Sequence, residues 1–493
     1  MLRLTFNWPG TRRPAGLSKL GVSLVLSGAV SVPALALAQV PAAPSPAAPG
    51  AVAPEQPLPP QPEPPAPVVA PAPPPPAAPV VVAPPVPEPE VAPAPASAAA
   101  AVVPAPAPEA APASEPTPAK PHAEISAAPG KGFTIKYGDA FSFNLRSRFQ
   151  IRYQLDLPPE NDAGEREEQQ LVNINTARLW FSGNVFNPGF TYMIQLALAG
   201  RDYRDGAISP IFDAYVDWKA TPGIAIRAGQ FFVPFDRLRT VREFALQLAE
   251  RPVPVGELTL DRDVGVAVYS EKFLGTPLTW RAGVFGGGGT NLTTAKDPGL
   301  LAVARLELRP LGPIDDDSEG DLERRSTPGL ALGAGIARNW NTNRQRSTTG
   351  ATYTGGTTDY LHFAADAVFK WQGFAAQLEY LYKNASEDAI ASVDADGDAV
   401  TEWTRSARGF VAQASYTFDP PVEVVGRYSV LNAYPGTDPR LVDTNEYAVG
   451  LNYYINGHQF KLQTDWIVRV PSDSDNGFED STQAVHVQLD ATF

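Results

Sequence analysis

The chain has 493 residues, no cysteine, four histidines, 53 prolines and 40 glycines, with a formal net charge of −14. The missing cysteines exclude disulfide scaffolds and thiol chemistry, and so few histidines leave little for a metal or acid–base centre. No enzyme activity, cofactor, metal or nucleic-acid partner is expected from this inventory.

Residues 1–38 carry Arg3, Arg12, Arg13 and Lys19 and no acid, then the apolar run Leu20 to Ala38, closing on Ala36-Leu37-Ala38 before Gln39. A basic start, a short apolar stretch and small residues before the cleavage point make a secretory signal peptide. Ser23, Ser27, Ser31 and Pro33 interrupt the run and count against an uncleaved anchor. No later window holds the roughly 18 consecutive apolar residues that a membrane helix needs, so a helical inner-membrane protein is excluded.

Residues 39–131 read as a Pro/Ala-rich disordered linker, with 32 prolines among the 91 positions from 40 to 130. Proline lacks the N–H donor and fixes φ, so this stretch builds no sheet. Extended at roughly 3.1 Å per residue, it would reach on the order of 280 Å. Two roles stay open: a plain periplasmic spacer, or a tether contacting the cell wall through residues 40–130.

From Phe141 the period becomes two. Phe141, Phe143, Leu145, Phe149, Ile151 and Tyr153 share one face, and Ser142, Asn144, Arg146, Arg148, Gln150 and Arg152 the other. Apolar to lipid and polar to lumen is the pattern of a water-filled membrane barrel. Sixteen candidate strands follow within a barrel domain at 132–493: 141–154, 171–186, 190–201, 210–219, 223–231, 263–270, 278–286, 300–309, 329–339, 359–371, 374–383, 408–418, 422–430, 444–454, 458–468 and 484–493. The expected fold is therefore all-β, a transmembrane antiparallel barrel of about 16 strands in the bacterial outer membrane, surrounded by lipid. Short connections rich in turn residues, such as Asn187-Pro188-Gly189 and Asn456-Gly457, alternate with long ones. With the linker in the periplasm, the short ones fall there and the long ones outside. The connection 310–328, with Asp315, Asp316 and Asp317, breaks the rule by being long on the periplasmic side.

Aromatic residues near strand ends, including Trp180, Trp218, Trp371, Tyr416, Phe418, Tyr453, Tyr454 and Trp466, are expected to form interfacial girdles. The last strand places Val485, Val487, Leu489, Ala491 and Phe493 on one face. It looks like the C-terminal signal read by barrel-assembly machinery, with Phe493 as its key residue.

The negative charge does not settle the lumen, because 22 of the 46 acids in 131–493 lie in the connections 156–168, 315–323, 387–402 and 473–480. Selectivity depends on what lines the pore. Opposite the apolar rows stand Arg146, Arg148, Arg152, Arg178, Arg227, Arg281, Arg305, Lys370, Arg427 and Lys461. Acids share those faces: Asp213, Asp217, Glu307, Asp366, Glu379, Glu423, Asp465 and Asp490. We take Arg146, Arg148, Arg152, Arg178, Arg227, Arg281, Arg305 and Lys461 as the candidate anion pathway, since guanidinium rows pass an anion along by charge-assisted hydrogen bonds. The alternative is that these charges pair across the lumen and stiffen the wall.

The connection 231–262 carries Arg237, Arg239, Arg242 and Arg251. Its apolar residues Phe235, Leu238, Val241, Phe244, Ala245 and Leu248 recur at helical spacing, which predicts a short helix packed on the wall with the arginines facing the channel.

Four segments, Asn175 to Gly183, Phe212-Asp213-Ala214-Tyr215-Val216, Ala228-Gly229-Gln230-Phe231-Phe232-Val233-Pro234-Phe235 and Asp261-Arg262-Asp263-Val264-Gly265-Val266, resemble in kind and order those of the phosphate-selective porin O and P family. The resemblance covers roughly 132–493. It implies a sixteen-stranded homotrimeric porin with an inward-folded third loop, here bearing Arg237, Arg239, Arg242 and Arg251 at a constriction, and passage of small anions including phosphate. Characterised members line the throat with lysine as well as arginine, whereas residues 230–262 contain no lysine. A weakly selective general porin and an outer-membrane anchor tethered to the cell wall stay as alternatives. Asp394, Asp396 and Asp398 form only a fragment of a calcium loop, with the glycine misplaced.

Overall fold

The computed structural model describes residues 123–493 apart from 162–163, 207–208, 271–274, 292–298, 394–396 and 420. The signal peptide, the linker up to residue 122, and Asp394 and Asp396 lie outside the described residues.

Among the described residues twenty strands are formed: β1 Ala123–Ala128, β2 Gly132–Tyr137, β3 Phe141–Leu157, β4 Gln169–Val185, β5 Phe190–Ala197, β6 Ile211–Thr221, β7 Ile224–Phe232, β8 Arg262–Ser270, β9 Leu278–Phe285, β10 Leu300–Leu308, β11 Gly329–Thr342, β12 Thr358–Trp371, β13 Phe374–Ala385, β14 Ala389–Val393, β15 Ala399–Trp403, β16 Ala407–Thr417, β17 Val422–Ala433, β18 Thr444–Asn456, β19 Phe460–Pro471 and β20 Thr482–Thr492. Two short helices, α1 Arg237–Thr240 and α2 Val253–Leu258, lie between β7 and β8. Strands β3–β13 and β16–β20 each pair antiparallel with the next, and β20 returns to β3 from Gln483 opposite Leu157 to Thr492 opposite Arg148. The result is the closed sixteen-stranded barrel expected from the period-two pattern.

On β12 the two faces separate cleanly. Tyr360, His362, Ala364, Asp366, Val368 and Lys370 are buried inward, while Phe363 and Trp371 are exposed outward. Trp218, Trp371, Tyr416, Phe418, Tyr453 and Trp466 are likewise exposed, as a lipid-facing girdle requires. Trp180 and Tyr454 are not. Both share the inward face of their strands and are buried, Trp180 beneath Arg146 and Tyr454 donating its hydroxyl to Glu423 Oε2 at 2.5 Å.

Three features differ from the sequence reading. Residues 123–131, read with the linker, begin a β1–β2 hairpin, and β2 adds Phe133–Tyr137 to the lower edge of β3. The connection after β13 contains its own hairpin, β14–β15. The long connection 309–328 turns into the barrel: Ile314 packs on Ala331 and Val368, and Ser318, Glu319 and Asp321 are buried.

Residues 233–261 also fold inward. Val233, Phe235, Leu238, Val255, Leu258 and Leu260 form one apolar cluster with inward residues of β10–β13, β16 and β17, among them Leu301, Val303, Ala364, Leu381, Val411 and Leu431. Each large side chain so buried contributes roughly 1.5–3 kcal/mol. The wall makes room with glycine. A Cβ at Gly335 would lie 2.1 Å from the Phe235 carbonyl oxygen, and one at Gly409 would lie 2.5 Å from Pro254 Cβ.

Candidate functional site

The inner loop packs against the wall from β10 to β19 and leaves open the side formed by β3–β6. There a cavity of about 440 Å³ separates loop from wall. From the wall come Arg148 and Arg152 of β3, Arg178 and Trp180 of β4, Arg201 and Asp202 of a 3₁₀ turn after β5, and Phe212 of β6. From the loop side come Arg239, Arg242, Glu243, Glu250, Arg251, Asp261 and, at the start of β8, Arg262. Eight arginines thus face four carboxylates, with no lysine among the lining residues.

Most of these guanidinium groups are held in place. Arg148 Nε donates to Asp490 Oδ1 at 2.8 Å, and Arg152 Nε donates to Gln488 Oε1 at 2.9 Å while its Nη1 pairs with Glu250. Arg178 meets Asp202 at 2.5 and 3.0 Å. Arg239 pairs with Asp261. Arg262 is sandwiched between Phe212 and Phe232, 3.6 Å from each ring centroid, and pairs with Asp213 at 2.8 Å. Stacking on two rings fixes the guanidinium plane without neutralising it.

Two arginines have no carboxylate within ion-pair distance among the described residues. Arg251 donates to the carbonyl oxygens of Leu238 and Val241, which hold the group but leave its charge. Arg242 is exposed at the cavity and makes no ion pair there.

Of the candidates read from sequence, Arg148, Arg152, Arg178, Arg239, Arg242 and Arg251 are brought together around this cavity. The others are placed elsewhere. Arg237 points the opposite way from its neighbours, into Asp366 and Asp316 at 2.7 Å each, because α1 is only one turn long and presents Arg237 to the wall. Arg305 lies beneath the loop, pairing with Asp366 at 2.7 Å and Glu307 at 2.9 Å. Lys461 is fully buried, its Nζ donating to Leu246 O at 2.6 Å, so it holds the loop. Arg227 pairs with Asp217, Arg281 with Glu307, and Arg146 lies over Trp180, all outside the cavity lining. Sequence reasoning missed Arg201, Arg262, Phe212 and Phe232. Arg262 and the two phenylalanines stood in the motifs that carried the family resemblance, whereas Arg201 was read as the end of a strand.

Inward polar residues staple the loop backbone to the wall. Asn452 Nδ2 donates to Gln247 O at 2.9 Å, Asp465 accepts from Ala249 N–H at 2.5 Å, and Arg427 donates to Glu250 O at 3.0 Å. At the far end, Lys383 Nζ and His362 Nδ1 contact the Glu257 and Leu258 carbonyls at 2.6 and 3.1 Å, where a helix terminus exposes unpaired acceptors.

The sequence pattern of the phosphate-selective porin O and P family matches residues 143–493. No curated protein sequence matches the chain. Similar solved structures include an anion-selective porin from Comamonas acidovorans, 13% identical, covering 72% of this chain and 100% of that one at a TM-score of 0.46. OmpF of Salmonella typhi, in complex with daunomycin, is 13% identical over 73% of this chain and 99% of its own, with a TM-score of 0.48. The outer membrane channel DcaP of Acinetobacter baumannii is 14% identical over 72% and 98%, at 0.46.

Proposed function

Because the chain belongs to the phosphate-selective porin O and P family, and is thus an outer-membrane porin, we propose that it passes small anions by passive diffusion through a pore narrowed by residues 233–261. The observation that carries this reading is the arginine excess at the cavity, with Arg242 and Arg251 outside ion-pair distance of any carboxylate among the described residues. In a narrow, protein-walled passage an uncompensated cation attracts anions and repels cations far more than it does in bulk water. The acids that make the chain negative overall do not oppose this, since many of them sit in connections away from the cavity.

Arginine forks suit planar and tetrahedral oxyanions alike. Phosphate is therefore one proposed solute among small anions, and the resemblance is what singles it out. The same reading puts a homotrimer in lipid and the Pro-rich segment in the periplasm, where residues 40–130 serve either as a plain spacer or as a tether to the cell wall.

The test is the reversal potential of single channels in planar bilayers under a salt gradient. An anion-preferring potential is expected, together with a fall in chloride current when phosphate is added. A cation-preferring potential would reject the proposal, and a potential near zero would favour a general porin whose lumen charges cancel.

A further inference from the structure

We propose that Glu319 is a positioning residue, through which the connection 309–328 clasps the inner loop from beneath and fixes Arg242 and Arg251 over the cavity. This rests on the reading of residues 233–261 as the pore-narrowing loop.

The contacts run in both directions. Glu319 N–H donates to Ala245 O at 3.3 Å, and the Glu319 carboxylate accepts from Gln247 N–H at 2.7 Å. Those two residues flank Leu246, midway between Arg242 and Arg251. Gln413 Nε2 donates to the same carboxylate oxygen at 3.0 Å and to Gln247 Oε1 at 2.7 Å, which ties clasp, loop and wall into one network. The foot of the clasp is anchored separately. Lys370 Nζ donates to Ser318 O at 2.8 Å and to Ser318 Oγ at 3.0 Å, and Asp321 accepts from Gly373 N–H at 2.8 Å.

Glu319 is 5% exposed and has no cation within ion-pair distance among the described residues. Burying a carboxylate without a counter-charge is unfavourable unless strong hydrogen bonds compensate it. Here both donors belong to the loop or grip it. A residue present only to fill space has no need of a charge. On the opposite side Lys461 and Asn452 hold the Leu246 and Gln247 carbonyls, so the loop is pinned between wall and clasp. Removing the carboxylate leaves the buried Gln247 N–H without its acceptor and frees the arginine-bearing stretch to shift toward the cavity.

Glu319→Ala and Glu319→Gln, each in the full chain, are to be recorded in planar bilayers, with folding checked by heat-modifiable gel mobility. In Glu319→Ala the open-channel noise should rise and the anion-to-cation permeability ratio should fall about two-fold or more. Glu319→Gln retains an amide oxygen for Gln247 N–H and should restore both toward wild type. Wild-type noise and ratio in Glu319→Ala would overturn the proposal, as would a glutamine variant no better than alanine. Should Glu319→Ala not assemble, Glu319→Asp retains the charge but withdraws the carboxylate by one methylene. Raised noise then supports the clasp and wild-type noise rejects it. A cation-selective wild-type channel would reject the anion reading, while the noise comparison would still decide the clasp.

Discussion

At the scale of single residues, arginines that look alike in sequence divide into those that expose charge and those that consume it. Arg242 and Arg251 face the cavity with no carboxylate in ion-pair distance among the described residues, and Arg237, on the same loop, lies between Asp316 and Asp366. A unit charge 4 Å from a passing ion in a water-like dielectric changes its energy by about 1 kcal/mol, a factor of about five in local concentration. Arg242→Ala and Arg251→Ala are therefore each expected to lower the anion-to-cation permeability ratio by about two- to five-fold, read from reversal potentials. Arg237→Ala should leave that ratio nearer wild type and instead lower the unfolding temperature, because Asp366 and Asp316 each lose one of two cationic partners and keep only Arg305 and Arg309. Equal loss of selectivity in all three variants would show that loop position, not charge at the cavity, sets the preference. This division was not legible in the sequence. Strand periodicity told which arginines face inward, but which of those the inner loop then covers depends on packing between distant segments, as for Arg305 and Lys461.

At the scale of elements, the sixteen strands were legible because each alternates over eight or more residues and is bounded by turn residues. The β1–β2 hairpin was not, since its two six-residue strands are short and adjoin a proline-rich stretch. The inner loop was legible as a loop bearing arginines but not as a path. Its residues follow one helical turn, a 3₁₀ turn, an extended stretch and α2, so no single period describes them. What fixes the path is complementarity with the wall, and Gly335 is its sharpest instance. A methyl group there would lie 2.1 Å from the Phe235 carbonyl oxygen, well inside van der Waals contact with backbone. Gly335→Ala should displace the start of the loop, destabilise the barrel by roughly 1–3 kcal/mol and alter conductance together. Heat-modifiable mobility against temperature gives the first effect and single-channel recording the second. An unchanged conductance would mean that the loop near Phe235 lies off the ion path.

At the scale of the whole molecule, closure depends on one seam. The edge of β3 is shared by three partners in turn: β2 pairs with Phe141–Leu145, Phe493 bonds to Ser147 in both directions at 2.8 and 3.0 Å, and β20 pairs with Arg148–Leu157. Phe493 therefore fills the gap between the N-terminal hairpin and the last strand, and its ring stacks on Phe149 at 5.6 Å. The backbone link completes the seam, and the exposed ring is the part we propose is recognised during assembly. Deleting Phe493 removes both. Phe493→Ala keeps the backbone link, whose two hydrogen bonds contribute about 1 kcal/mol each, and removes only the ring. Deletion is expected to impair insertion into the outer membrane, measured as the heat-modifiable fraction in membrane extracts. The alanine variant should be impaired in vivo yet show near wild-type thermal stability once folded from detergent in vitro. If the alanine variant inserts normally and the deletion does not, the seam and not the ring is what assembly requires. Normal insertion of the deletion variant would remove Phe493 from the assembly signal altogether.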